Sequence, residues 1–133
     1  MNAFEFGNEL WNLFTNDESL VKLLDVDVDD ESSYVKHYRQ EDVAPELFNV
    51  ENLPSIAFYF ADAGSTVNDY LNLGLLRIDI YTYYRDDVEP IRKRIVDIIH
   101  ERFDERVRAE GQRSSGITNV YKYRLEFTPL IFT

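Results

Sequence analysis

The stretch LLRIDIYTYYRDDVEPIRKRIVDIIHERF (75–103) changes hydrophobic period part-way along. Its first half alternates in twos, which predicts a strand over about 73–84. Leu76, Ile78, Ile80, Thr82 and Tyr84 fall on one side of that strand, and Arg77, Asp79, Tyr81 and Tyr83 on the other. The second half repeats in threes and fours, which predicts a helix over about 87–108. Val88, Ile91, Ile95, Ile98, Ile99 and Phe103 would form its buried stripe. Asp86 offers an N-cap with Glu89 three residues on, the pattern of a capping box, and Pro90 sits in the first turn, where its missing N–H costs nothing. The aliphatic side of the strand is the natural seat for the stripe. Burying each such side chain contributes about 1.5–3 kcal/mol before entropy is counted.

The rest of the chain is arranged around that unit. Phe6, Leu10, Leu13 and Phe14 recur at helical spacing within a helix over 3–15. Asp17 can cap a short second helix over 18–24. The acidic run DVDVDDESS (25–33) reads as an exposed connection. Residues 34–39 suggest a short edge strand, and 40–54 an irregular segment ended by Pro54. SIAFYFA (55–61) is a strand by its aromatic and apolar content, followed by a loop over 62–72. A polar loop is expected over 109–116 and a last strand over about 117–127, stopped by Pro129. Leu130, Ile131 and Phe132 are apolar enough to require docking, on this core or on a neighbour. The expected fold is one α+β domain over 1–133. It has a mainly antiparallel sheet of about four strands, a long helix on one face and short N-terminal helices.

With 133 residues, 44% of them hydrophobic, the chain can bury a core without staples, and it has no cysteine to form a disulfide, a thiolate metal site or a thiol nucleophile. Its charge is lopsided. Residues 1–66 hold 14 acids against three bases, whereas 67–133 hold 11 of each, so the net −11 lies in the first half. An acidic surface disfavours phosphate backbones and anionic membranes, and suits solubility or a basic protein partner. The first residues lack the basic region of a signal peptide, and no apolar run reaches the roughly 18 residues of a membrane helix, so the expectation is a protein made without export.

Tests for chemistry fail one by one. The 25–30 run opens like a calcium loop, but its sixth and twelfth positions hold Asp30 and Lys36 instead of Gly and Glu. His100 lies on the polar side of the long helix without a metal-binding pattern, and His37 sits in a small basic island where exposure is expected. No nucleophile elbow and no phosphate-binding glycine loop occurs. No catalytic residue, cofactor or metal is expected. Tyr81 and Tyr83 could stack bases, but the sequence signature of base-stacking sheets is absent. Two readings of their face stay open: packing beneath another element, or a subunit interface, where Tyr and Arg are enriched. If the last strand neighbours the 73–84 strand, Arg77 and Asp79 could pair with Glu126 and Arg124.

Four pieces carry a family resemblance: FEFGNELWNLFTND, LPSIAFYF, the strand-into-helix unit, and VYKYRLEFTPLIF. In order and texture they resemble the tail terminator, or tail-to-head joining, proteins of long-tailed bacteriophages. The resemblance implies a structural virion protein at the tail–head junction, made in the host cytoplasm. Such a protein closes the tail tube as a ring, usually of six copies, and meets the tube protein and the head–neck connector proteins. It has no cofactor and no active site, and neither enters a membrane nor binds nucleic acid specifically. A negative lumen in such a ring would repel passing DNA. Candidate interface residues are Arg77, Asp79, Tyr81 and Tyr83 on the strand, Asp62, Asn68, Asp69 and Tyr70 in the loop, and Leu130, Ile131 and Phe132 at the end. The alternative from another class is a cytosolic ligand-binding or regulatory α+β domain that could be dimeric.

Overall fold

The computed structural model describes residues 1–65 and 71–132, with the side chains of 62–65, 71–73 and 132 left out of the description. Four α-helices occur among them: α1 (Ala3–Thr15), α2 (Glu18–Leu23), α3 (Glu31–His37) and α4 (Val88–Phe103). The strands are β1 (Tyr38–Arg39), β2 (Ser55–Ser65), β3 (Leu71–Thr82), β4 (Ala109–Arg113), β5 (Tyr121–Phe127) and β6 (Leu130–Phe132). Five of them lie abreast in the order β1-β2-β3-β5-β4, and β6 pairs with β3 as well. Every pairing is antiparallel except the two-residue contact of β1 with β2. The α+β architecture is as expected, with more strands than the sequence suggested.

The extra strands come from segments with little apolar alternation. AEGQR, expected as a loop, is β4, held by its pairing with β5. β6 continues β5. Leu76 faces Phe127 and Leu73 faces Leu130, so the register against β3 is unchanged across the break at Pro129. The Gly74 N–H donates to the Pro129 carbonyl across the gap (2.9 Å). A Cβ on Gly74 would lie 2.8 Å from the Phe60 ring and 3.3 Å from Ile131, so only glycine lets these side chains close over the backbone there. This close packing anchors the end of the chain. Ile131 packs against the main core, while Leu130 remains 59% exposed. β2 and β3 also run further than expected, to Ser65 and from Leu71, so residues 62–65 and 71–72 of the expected loop are strand.

One face of the sheet carries the main core. Ile56 and Phe58 of β2, Ile78 and Ile80 of β3, and Leu125 and Phe127 of β5 meet the helices. The stripe of α4 is buried as expected at Val88, Ile91, Ile95, Ile98 and Ile99. Two details of α4 differ from expectation. A 3-10 turn over Arg85–Asp87 leads into it, and no side chain caps its start, so the capping box does not form. The helix ends at Phe103 instead of Arg108, because Asp104 turns left-handed (φ 54°). Phe6 of α1 stacks on Phe103 (4.3 Å between ring centres) and meets Phe60 edge-on (5.5 Å). Asp17 does cap α2, accepting from the Leu20 N–H (2.9 Å), and also takes two hydrogen bonds from Arg94 of α4 (3.0 and 2.6 Å). One carboxylate thus fixes both the start of a helix and its seat on the next.

The acidic run is shorter than expected, because α3 begins at Glu31 with Asp30 as its cap. Residues 34–37 are helical, and only Tyr38–Arg39 form the edge strand. His37 is buried, with Nδ1 2.7 Å from the Pro54 carbonyl, against the expectation of exposure. Tyr38 is buried too and donates to the Phe14 carbonyl (2.9 Å), and burial raises its hydroxyl pKa.

Candidate functional site

The sheet face turned away from the helices holds the residues singled out on β3. Its rows follow from the register: Tyr59–Arg77–Glu126–Ala109, Ala57–Asp79–Arg124–Gly111, and Ser55–Tyr81–Lys122–Arg113. The expected cross-strand pairs are present. Arg77 Nε lies 3.2 Å from Glu126 Oε2, and Arg124 Nε lies 2.8 Å from Asp79 Oδ1.

At the centre, Asp79 has no solvent exposure. Its carboxylate accepts from Arg124 and from the Tyr59 hydroxyl (3.0 Å), and Lys122 Nζ stands 3.7 Å away. A buried carboxylate needs such partners to offset the cost of its lost hydration. The network perturbs its neighbours in turn. Burial, then the charge of Asp79, raises the Tyr59 hydroxyl pKa, and Tyr81 is raised by the same two causes. The hydrogen bond to Asp79 holds the Arg124 guanidinium protonated.

The open question about Tyr81 is resolved at one end of this face. Tyr81 is 2% exposed and packs with Leu53, Ala57 and Val120 in a second, smaller core. The irregular segment covers it there, with the Phe48 ring 4.7 Å from the Tyr81 ring. Lys122 Nζ sits 5.4 Å from the same ring. Gly116, in a left-handed turn (φ 74°), lets the 114–120 connection close against Pro45, whose Cγ a Cβ would meet at 3.0 Å. Of the two open readings, packing beneath another element describes Tyr81, and Asp79 is enclosed by its own partners on the sheet. Space left beneath the cover amounts to 20 Å³, room for about one water.

The other candidates are scattered. Arg77 is partly exposed at the uncovered end of the face. Tyr83 lies beyond β3, half exposed, and donates to the Val50 carbonyl (2.6 Å). Asp62 lies in β2 opposite Gly74. Asn68, Asp69 and Tyr70 lie outside the described residues. Leu130, Ile131 and Phe132 form β6, so the chain's apolar end is docked on its own sheet. Alternation along the last strand places Lys122 on this face with Arg124 and Glu126, but neither it nor Tyr59 was among the candidates; alternation beside the core residue Phe58 was the signal that could have placed Tyr59 here too.

The acidic run carries no candidate ion site: among the described residues no cluster of His, Cys, Asp and Glu is placed to hold a metal. Its carboxylates serve the backbone, Asp27 accepting from the Asp29 N–H and Asp30 from the Ser32 N–H. No described helix is long and apolar enough to cross a membrane. No protein-family model matches this chain, and no curated protein matches it either.

Proposed function

We propose that this chain is a structural virion protein that terminates a phage tail tube and joins it to the head. It acts as a ring of copies, six by the resemblance, against the tube protein on one side and the head–neck connector on the other. The reading is supported by the order strand, long helix, strand in 71–132, around which the rest of the sheet is built. The observation that carries it is a sheet stacked on one side by helices, with no described strand on the outer side of β4 on one flank or of most of β2 on the other. An α+β block with two open edges has the form of a part that others are built against.

In this reading the acids at 25–31, all exposed, face passing DNA and repel it. Reversing Asp29 and Glu31, and sparing Asp27 and Asp30, whose carboxylates hold the backbone, leaves folding intact and impairs DNA passage. Deleting the gene tests the function itself. Electron microscopy of the lysate is expected to show long or irregular tails and unattached heads. Normal, infectious particles would overturn the proposal.

A further inference from the structure

The two open edges of the sheet differ in charge and run in opposite directions. On the first flank, β1 covers β2 only at Ile56 and Ala57, and no described strand pairs with the outer side of β2 from Phe58 to Ser65. Beside this open stretch, between α1 and β2, lies a groove of 410 Å³ floored by Phe58 and Phe60 and walled by Phe4 and Gly7. Phe4 is 85% exposed, more than any other large hydrophobic residue described. Acids neighbour its lining in the sequence: Glu5 follows Phe4, and Glu41 and Asp42 follow Gln40, which lines the groove. Glu41 pairs with Arg39, while Glu5 and Asp42 are in no ion pair among the described residues.

On the opposite flank β4 presents its outer side with arginines around it. Arg106 and Arg108 are exposed and in no ion pair among the described residues, and Arg113 is 40% exposed at the strand's end. Two acids of this flank are drawn in, while Asp104 stays exposed. Glu110 is held inward by Arg92 (2.9 Å) and by the Tyr123 hydroxyl (2.6 Å), and Glu105 is partly buried.

Direction follows from the pairing. β2 is antiparallel to β3, β3 to β5, and β5 to β4, so β2 and β4 point opposite ways. A second copy in the same orientation would therefore set its β4 antiparallel to the first copy's β2. The inner and outer faces of the two sheets would then match. We propose that β4 of one copy docks along Tyr59–Ala63 of β2 in the next, so that a single sheet continues from copy to copy. Such a contact joins two different surfaces, and repeated contacts of that kind close into a ring when the rotation allows. Backbone hydrogen bonds supply the attraction, and the excess of arginine on one edge and of acid on the other fixes which edge meets which. β1 blocks the first residues of β2, so the docked strand is shifted by about four residues, roughly 13 Å. Closing any sheet on itself requires a stagger of this kind.

This inference rests on the ring reading above, and the test separates the two. The chain has no cysteine, so introduced thiols report only on their own positions. Ala61→Cys with Gly111→Cys in one chain, mildly oxidised, is expected to give a ladder of disulfide-linked multimers. Within one molecule the two sites lie three strand spacings apart and four residues out of line, about 19 Å, too far to bridge. Each single variant is expected to stay uncrosslinked. Cross-linking of Ala61→Cys alone would show two β2 edges meeting and overturn the proposal. Oligomers by mass that fail to cross-link would overturn the edge assignment and leave the ring standing. Monomers at every concentration would overturn both. Charge gives a second readout. R106E/R108E and E41K/D42K are each expected to lose self-association, and an equimolar mixture to recover it, because both junctions in the mixture bring opposite charges together. A mixture that stays monomeric while wild type assembles would contradict the charge pairing.

Discussion

The two faces of the sheet are held by different physics. Towards the helices, β3 presents Leu76, Ile78 and Ile80 to a continuous apolar layer, where each side chain contributes by area and has many neighbours. Away from the helices, the same strand presents Arg77, Asp79 and Tyr81, and the contributions are few, directional and interdependent. Loss of area on the first face is graded. Loss of one partner on the second leaves charges stranded.

That contrast is exposed most sharply at Asp79. Asp79→Ala leaves Arg124 and Lys122, 15% and 11% exposed, without their carboxylate. The expected cost is about 3–5 kcal/mol in denaturant unfolding. Ile78→Val, one residue away on the area-driven face, should cost only about 0.5–1.5 kcal/mol. Equal effects would abolish the distinction between the faces.

Gly74→Ala comes next. It forces the Phe60 ring, 2.8 Å from the new Cβ, out of place and loosens the anchoring of β6. The expected loss is about 1–3 kcal/mol, with hydrogen exchange at 130–132 rising first.

Asp17→Ala removes a helix cap together with the Arg94 pair, and about 1–2 kcal/mol is expected at neutral pH. The hydrogen bond from Arg94 lowers the Asp17 pKa in the folded chain. That stabilisation is therefore present above the unfolded carboxylate value of about 3.9 and is lost as pH falls through the lower folded value. In acid the ionic part of the difference between Asp17→Asn and wild type should vanish. A difference that grows in acid would contradict the pairing.

The smallest effect is expected at Arg77→Ala, whose pair with Glu126 is half open to water, at no more than about 1 kcal/mol. A loss as large as that at Asp79 would place Arg77 in the buried network.

How far the sequence could be read follows the same division. The area-driven parts were legible: α1, α2, β3, the stripe of α4 and β5 all carry strong periodicity, and even the Arg77–Glu126 and Asp79–Arg124 pairs followed from alternation. What was missed depends on partners distant in sequence. AEGQR has no apolar alternation and is a strand only because β5 lies beside it. Residues 34–37 alternate like a strand, yet the Asp30 cap makes them a helix. The expected capping box at Asp86 lost to a tighter 3-10 turn. Tyr81 and Tyr83 look alike in the sequence. One is buried only because residues 43–53 fold back over it, and the other lies just past the end of the strand.

The central claim is that this molecule works by joining copies of itself. Sedimentation equilibrium of the unmodified chain over a wide concentration range tests it most directly. A mass that rises from 15.7 kDa and levels off at one fixed multiple is the expected result. A single chain's mass at every concentration would contradict it.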